Sequence, residues 1–141
     1  MDRTIKRFII IIVASFILNL SWEYSHAPLY ISQALVDNYN QTLIRAAIGD
    51  MGIIFFFFLA ISAIHKNLKW INTPRWFDYT LLFVFGLVFA IAIEYVNLGI
   101  GRWAYTPDMP TILGGGISPL VQLAITSLAS LRIGLIRKIN K

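Results

Sequence analysis

Asn19, Glu23 and His26 fall at i, i+4 and i+7 of one apolar run, so a helix would carry all three on one face. A carboxyl and an imidazole at that spacing are groups that give and take protons. Two more acids sit inside apolar runs, Asp50 in IGDMG and Glu94 in IEYVN. An ionised carboxylate is expensive in hydrocarbon, so such groups face a protein interior or a water-filled cavity. Ser118, Gln122, Thr126 and Ser130 add a polar line at i, i+4 spacing. We expect one polar pocket built by Glu23, Asp50 and Glu94, with His26 as a further catalytic candidate. Asn19, Arg102, Trp103, Tyr105 and Gln122 are the candidate substrate-binding residues. The chemistry expected of this set is proton transfer on a lipophilic substrate. One carboxyl donates, a second group accepts, and the Trp103 and Tyr105 rings face the developing cation.

Long apolar elements must position these groups. The chain has 141 residues, 57% hydrophobic and only 13% charged, with a mean hydropathy of +0.69. A soluble domain carries about 25% charged residues, and a small one buries the smallest share of its surface. The composition therefore describes an integral membrane protein. It excludes a nucleic-acid-binding, disordered or collagenous chain, and the absence of cysteine excludes disulfides and thiolate metal sites. No phosphate-binding glycine loop, H-E-x-x-H or nucleophile elbow occurs. Neither a cofactor nor a metal is expected.

Four runs are long enough to cross a bilayer, which takes about 20 residues each. They cover about 8–25, 43–64, 77–97 and 118–136. The runs are continuous rather than alternating, so barrel strands are disfavoured. The expected fold is all-α: a single membrane domain over 1–141, an antiparallel four-transmembrane-helix bundle. A cleaved signal peptide is the alternative for the first run, but that run is long and no A-x-A site follows it.

Ten of the twelve basic residues fall on one side of this arrangement; only Arg45 and Arg102 fall on the other. The positive-inside rule then places both termini in the cytoplasm of a multi-pass cell-membrane protein. The net charge of +5 reads as a topology signal, with membrane lipids as partners and no nucleic acid. On this orientation the span acids lie in the outer half and the inner halves are almost purely apolar. Trp70, Trp76 and Tyr79 read as interfacial anchors on one side, and Tyr24, Tyr30, Trp103 and Tyr105 on the other. His65 reads as interfacial, without a role in the site. Gly49 and Gly52 flank Asp50 and are expected to allow close helix approach. Ion pairs of Asp50 with Arg45 or Arg102, and of Glu94 with Arg102, are the structural alternatives to a pocket. Thr126 and Gln122 are expected to join helices by hydrogen bonds. In residues 101–120, Pro107 and Pro110 forbid a continuous helix, and the Gly114–Gly116 run frees the backbone. Ser118 followed by Pro119 reads as a helix N-cap, and this loop is expected to cover the pocket.

The elements WEYSHAPLY (22–30), IGDMG (48–52), IEYVNLGIGRWAYTPDMP (93–110) and GISPLVQL (117–124) resemble a group of small four-helix bacterial integral-membrane proteins. That resemblance covers roughly residues 16–126 and implies the architecture and the choice of residues, but no reaction. In general logic the chain is also similar to the emopamil-binding-protein-like sterol isomerases, whose helices carry carboxylates and a histidine around a lipophilic pocket. The segment with Glu94, Gly101, Tyr105 and Pro110 is similar in style to small carotenoid cyclases and hydratases. Departures are plain: His26 lies three residues after Glu23, the later sterol-isomerase motifs are absent, and so is the cyclases' double glutamate. Two other classes stay open. One is an ion or small-solute site, for which a chain this short would need a homo-oligomer to transport. The other is a non-catalytic accessory subunit.

Overall fold

A computed structural model describes residues 1–31 and 38–136. Arg137, Lys138 and Lys141, three of the basic residues used for the orientation, lie outside the described residues, as does part of the first outer connection. Four helices make up the fold: α1 (Arg3–His26), α2 (Tyr39–Ile64), α3 (Trp76–Gly99) and α4 (Ile117–Ile136). Each is long and apolar enough to cross a membrane. They extend the expected spans at α1, α2 and α3, because helical hydrogen bonding continues into polar ends that an apolar count leaves out. The only strands among the described residues are β1 (Thr111–Ile112) and β2 (Gly115–Gly116), a small antiparallel hairpin.

Proline sets two of the boundaries. Pro28 cannot continue α1, and the chain tightens into a 3-10 turn over Ala27–Leu29. Pro74 precedes α3, whose first turn is held by Asp78: its Oδ2 accepts from the Arg75 backbone N–H at 2.8 Å. Gly101 ends the following turn at φ +67°, a conformation that glycine adopts without cost.

The helices run alternately up and down. α4 lies along both α1 and α3, and α1 also lies along α2. Buried Ile11, Ile54, Phe57, Phe58, Ile61, Leu82, Leu123 and Leu131 form the core. Large apolar side chains also cover the outside of every helix, among them Ile9, Val13, Phe55, Phe56, Val84, Val88 and Ile125. A belt of this kind is far larger than a soluble monomer exposes. Close helix approach occurs at Gly86 and Gly134. A Cβ at Gly86 would run into the Ala124 backbone, and one at Gly134 would lie 2.5 Å from Ile11 Cγ1. Gly49 and Gly52 meet no neighbour at all, which corrects the expectation of close packing there. They lie on the exposed face of α2, where no helix approaches.

The end that holds the N-terminus, here the near end, has its own polar network. Arg7 is 4% exposed; its Nε donates to Gly134 O at 3.1 Å and its Nη1 to Asn72 Oδ1 at 2.7 Å. Asn72 Nδ2 donates to Thr4 Oγ1, and Trp70 Nε1 to Ser62 Oγ. His65 Nε2 lies 2.6 Å from Oδ1 of Asp78, which is 1% exposed. Two expectations are therefore corrected. Span acids are not confined to one half, since Asp78 is buried at the opposite end. His65 and Trp70 are not surface anchors: His65 is tied to buried Asp78, and Trp70 is itself buried and bonded to Ser62.

Replacing Gly86 by Ala should lower stability by about 1–3 kcal/mol, because the α3–α4 backbones must separate. Thermal unfolding in detergent reads this, and an unchanged midpoint would show that the two backbones do not depend on their close contact.

Candidate functional site

The opposite, far end collects the remaining polar side chains. Its centre is Gln122, which lies in the second turn of α4. Gln122 Nε2 is 2.7 Å from Asp50 Oδ2, 3.1 Å from Asn19 Oδ1 and 3.3 Å from Glu23 Oε1. One amide nitrogen thus joins α1, α2 and α4. It carries two hydrogens for three acceptors, so the acceptors compete for it. Asn19 is 0% exposed and oriented by its own helix, through a 2.8 Å bond from Nδ2 to Ser15 O. Helical spacing accounts for the convergence. Asn19 and Glu23 are one turn apart on α1, and Asp50 lies about 16 Å along α2 from Tyr39, at 1.5 Å per residue.

Glu94 enters from α3 and is 3% exposed. Its Oε1 has no hydrogen-bond partner, and the carboxyl faces the Gly116 amide. Burial pushes the Tyr30 phenol above its ordinary value, and the charges of Glu94, Glu23 and Asp50 push it the same way. Tyr30 is held by an extended bridge to the connection after α3: Ile31 N donates to Ala104 O and Thr106 N to Leu29 O, both at 2.9 Å. Its ring stands edge-on to Trp103 and Tyr105, with centroids 6.1 and 5.4 Å away.

The loop expected to cover the pocket folds back over the far end. Tyr105 Oη accepts from the Gly116 N–H at 2.8 Å, and Tyr95 Oη donates to Ile112 O at 3.1 Å, which ties the hairpin to α3. The Ser118 cap is corrected: α4 begins at Ile117, whose N–H donates to Pro110 O, and Ser118 Oγ is buried without a partner. The role expected of Thr126 is corrected as well. Its hydroxyl, like those of Ser127 and Ser130, bonds back to its own helix, so of these α4 side chains only Gln122 bridges to other helices.

His26 stacks on Trp22, centroids 4.8 Å apart, with Nδ1 3.0 Å from Trp22 O. A carbonyl only accepts, so Nδ1 carries the hydrogen and Nε2 is the basic nitrogen of the neutral ring. Arg102 is exposed and reaches only Asn97 Oδ1 at 3.5 Å. Arg45 is exposed too, and among the described residues neither arginine pairs with Asp50 or Glu94. The ion-pair alternatives are therefore not what holds these acids. No group of three or more His, Cys, Asp or Glu among the described residues is arranged to hold a metal ion.

No family model, curated protein or solved structure matches this chain. The site must be read from its own geometry. Asn19, Glu23, Asp50 and Gln122 meet directly. Trp103 and Tyr105 pack edge-on against Tyr30 at the same end, Glu94 is buried on α3, His26 follows Glu23 by three residues, and Arg102 is exposed. Reading the sequence missed Tyr30, taken there as an interfacial anchor. The signal was Pro28: a helix broken two residues before Tyr30 turns the chain back over its own end.

Substituting Gln122 by Leu removes the shared donor and leaves Asn19 and two carboxyls without it. The expected loss is about 3 kcal/mol, as for breaking a buried polar network at one member. Thermal unfolding in detergent measures it; a midpoint equal to wild type would mean that the three acceptors are satisfied some other way.

Proposed function

We propose that the chain is a multi-pass cell-membrane protein that binds, and converts by proton transfer, a lipophilic isoprenoid-like molecule. The observation that carries this reading is the meeting of Glu23 and Asp50 on one Gln122 nitrogen, at the end of the bundle where Tyr30 packs against Trp103 and Tyr105. Two carboxyls around one donor hold and release a proton between them. The rings of Tyr30, Trp103 and Tyr105 are electron-rich faces against which a carbocation is stabilised. In the proposed reaction a carboxyl proton adds to a substrate double bond, the cation rests against these rings, and a second carboxylate removes a different proton. Glu94 or Asp50 is the donor, and Glu23, with His26 adjacent, the acceptor. Each cycle returns the protons it uses, so isomerisation or cyclisation needs no further reactant; hydration consumes one water. The belt of exposed apolar side chains supports a substrate arriving from the lipid phase.

In the same reading both termini are cytoplasmic and the site lies in the outer half of the bilayer. The basic residues support this: Arg3, Lys6, Lys66, Lys69, Arg75 and Arg132 gather at the near end, while Arg45 and Arg102 are at the far one. Arg7 also belongs to the near end, although its charge serves the network with Asn72 and Gly134. The chain has no cysteine, which makes single-cysteine labelling clean. Asp108→Cys should react with a membrane-impermeant maleimide added to whole cells, and Lys69→Cys only after the cells are opened. The reverse pattern would invert the orientation.

Native mass spectrometry of the protein in mild detergent, with solvent extraction, tests the binding reading. A specific lipophilic molecule should accompany the wild type and be lost from a Glu23→Gln, Glu94→Gln double variant. Recovery of a protein partner with no small molecule would replace this reading with an accessory role.

A further inference from the structure

The unpartnered buried polar side-chain atoms among the described residues are Trp22 Nε1, Glu94 Oε1, Trp103 Nε1, Thr106 Oγ1 and Ser118 Oγ. All five belong to the far end: the last turns of α1 and α3, the connection after α3, and the first turn of α4. The near end is different, since Arg7, Asn72, Trp70, His65 and Asp78 are all bonded there. Buried polar groups are nearly always satisfied, and each exception calls for an explanation. Here the exceptions share one place and have complementary needs.

Those needs select a head-group. An indole N–H only donates, so Trp22 and Trp103 require an acceptor. The Glu94 oxygen accepts, whether as a carboxylate or as the carbonyl of the neutral acid, so it requires a donor. A carbonyl would satisfy the indoles and leave Glu94 unserved. An ammonium would serve Glu94 and leave the indoles. A phosphate or carboxylate would meet Glu23, Asp50 and Glu94 as like charges, and the arginines at this end, Arg45 and Arg102, are exposed. A hydroxyl does both, donating one hydrogen while its lone pairs accept.

We propose that the site takes a neutral lipid alcohol whose hydroxyl donates to Glu94 Oε1 and accepts from the Trp103 indole N–H. This rests on the lipophilic-site reading above and narrows it to one head-group class. Trp103 is the indole chosen because it comes from the loop that covers this end, where its ring lies against Tyr30 and the neighbouring Tyr105 Oη accepts from the Gly116 amide just before α4, and Glu94 Oε1 is unpartnered at the same end. Thr106 and Ser118 offer further hydroxyl partners from the covering loop and the start of α4. The tail of the alcohol follows the apolar helix faces into the bilayer.

The test compares four probes on wild-type protein in an amine-oxide detergent, which has no hydroxyl of its own. They are geranylgeraniol, its methyl ether, geranylgeranyl diphosphate and squalene, followed by tryptophan fluorescence and thermal shift. The alcohol should bind at least about tenfold more tightly than the ether, which accepts but cannot donate, and than the other two. Trp103→Phe keeps the ring and should weaken the alcohol by about fivefold, leaving the hydrocarbon unchanged. Glu94→Leu should abolish the preference for alcohol over ether, and Glu94→Gln, which keeps an acceptor oxygen, should retain most of it. Equal binding of alcohol, ether and squalene would overturn the hydroxyl assignment while leaving a lipophilic site standing. Tighter binding of the diphosphate would overturn it in favour of an anionic head-group. Binding of none of the four, together with no lipid in the solvent extract, would overturn the lipophilic reading and this inference with it. Should Glu94→Leu fail to fold, the probe series and Trp103→Phe still decide.

Discussion

Carboxyl groups placed inside apolar helices have to be surrounded by polar partners, and this constraint orders the far half of the molecule. Glu23, Asp50 and Glu94 cannot face hydrocarbon as ions without large cost. Gln122 answers the first two by offering one nitrogen to acceptors on α1 and α2. That sets the rotation of α4 about its axis, which in turn places Gly86 of α3 against Ala124. Small residues let the backbones approach, and a single bridging amide then joins three helices. Membrane helices that lack a hydrophobic drive to associate are held by such packing and such bonds.

Glu94 is treated differently. It is more buried than Glu23 or Asp50, yet one of its oxygens is left without a partner. The connection after α3 is tied down at three points: the bridge to Tyr30, the Tyr105 bond to Gly116 and the Tyr95 bond to Ile112. The two ends of the bundle thus contrast. The near end closes its polar groups on one another and acts as a clasp, with Arg7 holding α4 and the turn before α3. The far end keeps open valences beneath an aromatic cover, which is the arrangement a binding site requires.

Much of this was legible in the sequence. The apolar runs, the breaks at Pro28 and Pro74 and the one-turn spacing of Asn19 and Glu23 are local properties that lead directly to helices with a polar stripe. The expected convergence, drawn from the cost of burying acids, was of Glu23, Asp50 and Glu94; the structure brings the first two together on Gln122. Three readings failed for a common reason. Gly49 and Gly52 looked like contact residues, His65 like a surface group, and Ser118 like a cap. Each judgement depended on what lay across from the residue, and a single chain read along its length does not show that.

The sequence by itself determined four apolar helices and which polar residues share a helix face, because these follow from hydropathy and the 3.6-residue period. Tertiary structure decided which faces meet. It paired His65 with Asp78, gave Gln122 three acceptors at once, and set the Tyr30 ring against Trp103 and Tyr105. Those are long-range contacts between helices, set by backbone approach and by the matching of donors to acceptors, and no local pattern encodes them.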